Sequence, residues 1–222
     1  MTDTELFWSP VKLSLEVAIF SLIIVLIVGV VTAKMMAHKK FKGKSVIDTF
    51  LLLPLVLPPS VVGFLLIVMF GNNSFIGELI EWAFNQSIIF TWWAAVIAAT
   101  VVAFPLMYQS AKTGFETIDH DIEDASRVDG ANELKVFLLV TLPLSSKSII
   151  SGAILSFARA IGEFGATLMF AGNIPGRTQT IPTAIYLAME SGNMKLAWLW
   201  VFIILLISFT MLISMNLLKK QY

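Results

Sequence analysis

Residues 123–143 read "EDASRVDGANELKVFLLVTLP", a polar, turn-containing stretch set between long apolar runs. It carries a small-residue turn at Asp129-Gly130, charged and aliphatic side chains alternating around that turn, and a Leu142-Pro143 stop. What surrounds it decides the fold class. The 222-residue chain is 57% hydrophobic and only 14% charged, with a mean hydropathy of +0.85. That is more apolar surface than one soluble core of this size could bury. The composition predicts an all-α, polytopic membrane helical bundle, with this polar stretch emerging from it.

Working outward, five apolar runs occupy residues 13–33, 49–70, 91–111, 149–170 and 196–218. Each is near the ~20 residues a helix needs to cross ~30 Å of hydrocarbon. The second, third and fifth contain no charged residue, and the first contains only Glu16, four positions after Lys12. The first run is too long for a signal peptide and follows the acidic stretch "MTDTELFWSP", so it is read as a retained span.

Lys and Arg concentrate in cytoplasmic loops. "KMMAHKKFKGK" holds five lysines, and residues 112–147 hold four positive side chains. The loop between the second and third runs has Glu78 and Glu81 and no cation, while the fourth loop has only Arg177 and Lys195. This alternation predicts an amino terminus outside, a carboxyl terminus in the cytoplasm, and residues 115–146 as a cytoplasmic loop. A short helix is expected on the outer side at "IPTAIYLAM" (181–189), which is apolar but too short to span.

Three spans carry features that lipid does not require. Pro54, Pro58 and Pro59, with Gly63 after them, remove backbone donors and are expected to break or bend the second span, and Pro105 to do so in the third. Such a bend either serves packing or borders a pathway, and Pro58 and Pro59 are the pathway candidates. In the fourth run, Gly152, Ser156 and Ala160, and likewise Ala158, Gly162 and Ala166, offer small faces for close helix packing. Arg159 lies ten residues past Ile149, or ~15 Å along a helix and near the bilayer centre. An unpaired Arg there costs at least ~2.5–3.5 kcal/mol. Glu163, one turn on, can pair with it. The pair is either a structural bridge or the lining of a water-filled anion path.

Several chemistries have no residues to carry them. The chain has no cysteine, and its two histidines, His38 and His120, lie in the polar loops. There is no phosphate-binding loop and no zinc-protease motif. No metal, cofactor or catalytic residue is expected, and a net charge of zero argues against a nucleic-acid partner. A gradient-driven secondary transporter would often show inverted repeats and coupling acids within its spans. No repeat is visible, and Glu163 is the only acid deep in a span.

The opening stretch reads as two short helices. Acidic residues in "TIDHDIEDASRV" suit a first turn, Gly130 can end that helix in the left-handed conformation, and Asn132 can cap a second helix, "ELKVFLLV", running into Pro143.

Glu123 and Ala125, then Gly130 with Ala131, Val140 and Leu142-Pro143 together resemble the "EAA" loop of bacterial ABC importer permeases, with Asp124 departing from the small residue usual at that position. The resemblance covers residues 11–218. It implies a type I ABC importer permease-like fold of five spans and a coupling loop, residues 115–146, that docks a cytosolic ATPase. "LPLVLPPSVVGFLL", "SFARAIGEFGAT" and "NIPGRTQTIPTAIY" are similar to molybdate permeases within that family, and the first two also to sulfate permeases. What this implies is a homodimer in the bacterial cell membrane, two copies of a cytosolic ABC ATPase subunit that hydrolyses the ATP, and an extracytoplasmic molybdate-binding protein. The imported anion is then molybdate or a related oxyanion, tungstate or sulfate.

Overall fold

The computed structural model describes residues 3–220; Gln221 and Tyr222, at the predicted cytoplasmic carboxyl terminus, lie outside the described residues. In chain order the helices are α1 (Asp3–Ala37), α2 (Lys44–Val56), α3 (Pro59–Phe70), α4 (Phe75–Phe84), α5 (Trp92–Glu116), α6 (His120–Val128) and α7 (Glu133–Val136). A π-helical turn (Phe137–Thr141) follows, then α8 (Leu142–Leu144), α9 (Ser146–Ile161), α10 (Gly165–Phe170), α11 (Ile181–Glu190) and α12 (Met194–Lys220). Among the described residues three helices are long and apolar enough to cross a membrane, and the bent pairs α2–α3 and α7/α8–α9 raise the number to five.

α5 is the centre of the bundle. Ala94, Ala95, Ala98, Ala99, Ala103 and Ala111 are fully or almost fully buried along it, so neighbouring helices approach its backbone closely, as membrane helices do at small residues. α1 packs along one side, where Ser21 Oγ donates to the Val96 carbonyl at 3.0 Å. α9 packs along another through the small stripe read from the sequence. A Cβ on Gly152 would sit 2.8 Å from Ser110 Cβ, Ser156 Oγ donates to the Ala103 carbonyl at 3.2 Å, and Ala160 is buried. The second small stripe behaves differently: Ala158 and Gly162 face outward and only Ala166 is buried.

The second span is broken, and local chemistry explains where. Leu57 and Pro58 each precede a proline, which pushes both into extended backbone, with ψ of 142° and 136°. Pro59 then opens α3 at a helical position that needs no N–H. The result is a 115° bend between α2 and α3. Pro54 is accommodated inside α2. Pro105, expected to break or bend the third span, does not break it. It lies buried inside the continuous helix α5, where packed neighbours on several sides hold the helix together across the missing donor.

The fourth run is likewise not one helix. α9 ends at Ile161 and α10 begins at Gly165. At its other end α9 meets the hairpin at 73° across Ser145. The short helix expected at 181–189 is present as α11, tied down by Ser14 Oγ, which accepts from the Ile181 N–H at 2.7 Å. Its face of Ile181, Ala184 and Ala188 is buried together with Val11, Ala197 and Trp200 of α1 and α12.

Candidate functional site: a break between half-helices and a capped hairpin

The two breaks meet. α3 lies against α10 so closely that a Cβ on Gly63 would be 2.7 Å from Met169 Cβ and 3.0 Å from Ala166 Cα, and a Cβ on Gly165 would be 2.9 Å from Pro59 Cβ. The structure thereby brings Pro58 and Pro59 beside the segment that carries Arg159 and Glu163. Pro59 thus stands against Gly165, two residues past Glu163.

At that place Arg159 occupies the last turn of α9 and Glu163 the gap before α10. Arg159 Nη1 is 2.6 Å from Glu163 Oε2, although the approach is not aligned as an N–H hydrogen bond to that oxygen. Glu163 Oε1 accepts the Ala166 N–H at 2.7 Å. The cation thus sits at a helix C-terminus and the carboxylate at a helix N-terminus, the placement that both helix dipoles favour. The two side chains differ in access: Glu163 is fully enclosed, whereas 29% of Arg159 is exposed. A guanidinium held on one edge by a buried carboxylate and open on the other can meet an anion. Phe164, next after Glu163, packs its ring 5.5 Å from that of Tyr186 on α11, so the short helix borders the break.

The second assembly is the hairpin at the other end of α9. Asp119 caps α6 by accepting the Asp121 N–H at 3.1 Å. A complete C-terminal motif closes that helix, with the Gly130 N–H bonded to the Arg127 carbonyl at 3.0 Å and the Ala131 N–H to the Ser126 carbonyl at 3.1 Å. Gly130 has φ of +89°. Asn132 Oδ1 accepts the Lys135 N–H at 2.9 Å and starts α7. Pro143 falls where the helix widens into the π turn, which relieves the clash a proline ring makes with the preceding turn of an α-helix.

Within the hairpin the named residues divide by burial. Glu123 is only 3% exposed. Its Oε1 is 2.7 Å from Lys34 Nζ and accepts from Thr141 Oγ1 at 2.6 Å, and its Oε2 lies 3.5 Å from Arg127 Nη2. Burial raises the pKa of this carboxyl, but hydrogen bonds from Lys34 and Thr141 and the charges of Lys34 and Arg127 outweigh it, leaving a value of about 2. Glu123 is therefore an internal joint and not a surface charge, as its place in a polar loop had implied. Arg127 braces the turn, with Nε 2.7 Å from Glu133 Oε1 and Nη1 2.7 Å from Asp124 Oδ1. Outward the hairpin presents apolar side chains among charged ones: Val128 is 87%, Leu134 65% and Leu139 72% exposed, beside exposed Asp124 and Glu133.

Sequence reasoning did not single out Lys34, Thr141, Val128 or Leu134. Nor did it find Asp48, which accepts hydrogen bonds from Tyr108 and, at 2.8 Å, from Lys112, and so ties α2 to α5. The available signal was the acid in position 48, alone just after a lysine-rich loop. His38 and His120 stand with ring centroids 4.1 Å apart, and His38 Nε2 is 3.1 Å from the Phe115 carbonyl. Desolvation, then the neighbouring His120 and Lys34, push His38 below its ordinary pKa. Among the described residues no cluster of three or more metal-ligating side chains occurs.

Broken helices meeting inside a bundle, an ion pair at the break and a capped hairpin at the end of the same helix define a multi-pass membrane transport subunit. The chain belongs to the family of binding-protein-dependent transport system inner membrane components, whose family model matches residues 17–222. It is accordingly an ABC importer permease and not an enzyme. YvgM of Bacillus subtilis, provisionally designated a molybdenum transport system permease protein, is 61% identical over 93% of this chain and 91% of its own length. The molybdenum transport system permease protein ModB of Escherichia coli (strain K12) is 43% identical over 96% of this chain and 93% of its own. In fold, the chain resembles a bacterial alginate ABC transporter chain (TM-score 0.74, 15% identity, 96% of this chain and 78% of that one). It also resembles a chain of the MetNI methionine ABC transporter (TM-score 0.69, 15% identity, 97% and 93%).

Proposed function

We propose that this chain is the permease of an ATP-driven importer of molybdate, working as a homodimer with two cytosolic ATPase subunits and an extracytoplasmic molybdate-binding protein. The 61% and 43% identity to molybdenum permeases over nearly the whole chain carries this reading. The amino terminus then lies outside and the hairpin in the cytoplasm, in keeping with the five lysines of residues 34–44 and the four cations of residues 112–147. The hairpin, with Glu123, Ala125, Gly130, Ala131, Leu142 and Pro143, is the docking element, and exposed Val128 and Leu134 are its apolar contacts with the ATPase. The outward-facing Ala158 and Gly162 suit close approach of a second copy. Arg159, partly exposed in the last turn of α9, is the group an oxyanion meets in the path.

The test is accumulation of molybdate by cells that lack their own uptake system and express this chain with its ATPase and binding protein. Accumulation suppressed by tungstate and unaffected by excess sulfate supports the reading. Suppression by sulfate at equal concentration would reassign the anion.

A further inference from the structure

Glu123 is the point at which three parts of the molecule converge. Lys34 comes from the last turn of α1, and its Nζ also lies 5.8 Å from the centroid of the Phe115 ring of α5. Thr141, fully buried, comes from the π turn. Its carbonyl in turn accepts from Ser145 Oγ at 2.7 Å and from the Ser145 N–H at 3.1 Å, at the bend where α9 begins. The carboxylate therefore joins the first span, the hairpin and the root of α9, and α9 carries Arg159 in its last turn, thirteen residues beyond Ser146 or about 20 Å further along. A buried charge that loses its partner destabilises its surroundings far more than an exposed one. The joint is thus stiff while complete and loose when one group is removed.

We propose that Lys34 is a positioning residue for coupling: by clamping Glu123 it makes the hairpin and the first span move as one body, so that displacement of the hairpin reaches α9 instead of being absorbed at the Ser145 bend. This rests on the reading of the hairpin as the ATPase-docking element. Arg127 also reaches Glu123, at 3.5 Å, but cannot substitute, because it belongs to the hairpin itself and makes no link to the first span.

The experiment compares wild type, Lys34→Met, Lys34→Arg and Thr141→Val with two readouts. The first is amide hydrogen exchange over residues 120–136 in the chain held in lipid nanodiscs, with neither ATPase nor substrate present. The second is molybdate transported per ATP hydrolysed by the assembled transporter. Lys34→Met is expected to speed exchange of the hairpin roughly tenfold, leave residues 92–111 slow, keep the ATPase bound, and lower transport per ATP several-fold. Lys34→Arg restores both. Unchanged hairpin exchange overturns the clamp, and faster exchange with wild-type transport per ATP overturns its role in coupling. Should Lys34→Met not reach the membrane, Thr141→Val, which keeps the ion pair and removes one hydrogen bond to it, decides by the same readouts. A wild-type complex that moves no molybdate, with hairpin exchange still responding to Lys34→Met, counts against the molybdate assignment alone.

Discussion

Gly130, Arg159 and Glu123 show how differently single residues act here. The φ of +89° at Gly130 opposes any β-carbon, yet a Cβ there would meet nothing within 4 Å. Its requirement is conformational, at about 1–2 kcal/mol for most L-residues. Gly130→Val should therefore leave the chain inserted but weaken ATPase retention or uncouple hydrolysis from uptake. Gly130→Asn, which tolerates the left-handed region better, should lose much less. Co-purification of the ATPase and ATP-linked uptake distinguish them, and equal behaviour of the two variants would contradict this account. At Arg159, replacement by Ala alone strands the enclosed Glu163 and confuses two effects, with about 3–5 kcal/mol at stake. The double variant Arg159→Ala/Glu163→Gln removes the stranded charge. It should recover thermal stability in detergent and not anion uptake, while Arg159→Lys keeps part of both. Recovery of uptake in the double variant would make the pair purely structural. For Glu123 the folded pKa of about 2 lies below its ordinary value of 4.5. Its contribution, up to about 3 kcal/mol, is complete above pH 4.5 and lost as pH falls toward 2. The melting-temperature gap between wild type and Glu123→Gln should therefore close over that window, and a gap that does not change with pH would exclude the ionised joint.

Among the elements, the broken spans have the most visible cause. Two consecutive prolines make the position of the α2–α3 bend readable from local sterics, and the cap residues Asn132 and Gly130 made the hairpin equally readable. The α9–α10 break was not legible in the sequence, where 149–170 reads as one span; at the break α3, from far along the chain, packs against Gly165 and Ala166. The same tertiary support hid the outcome at Pro105, where a helix-breaking residue sits in an unbroken helix. The contact between the half-helices is tight enough to test. Gly63→Val adds atoms where Met169 Cβ already stands 2.7 Å from a first Cβ, and overpacking of this kind costs about 1–3 kcal/mol. A lower melting temperature and loss of uptake are expected, with the hairpin still binding ATPase. An unchanged melting temperature would mean that α3 and α10 are not held together in the membrane.

At the scale of the whole molecule, composition was enough for a membrane bundle, because no soluble core could absorb so many apolar residues, and the spacing of Glu123, Gly130 and Pro143 was enough for the family. The burial of Glu123 was not readable, since a carboxylate in a polar loop looks solvated until Lys34 and Thr141 are seen beside it, 89 and 18 positions away. The transported anion is likewise not legible in any one motif. The measurement that bears most directly on the central claim is molybdate uptake into proteoliposomes containing this permease, its ATPase and the binding protein, with ATP enclosed on the hairpin side. Uptake that requires ATP, stops with vanadate and persists with a protonophore is the predicted result; uptake abolished by the protonophore and indifferent to vanadate would contradict it.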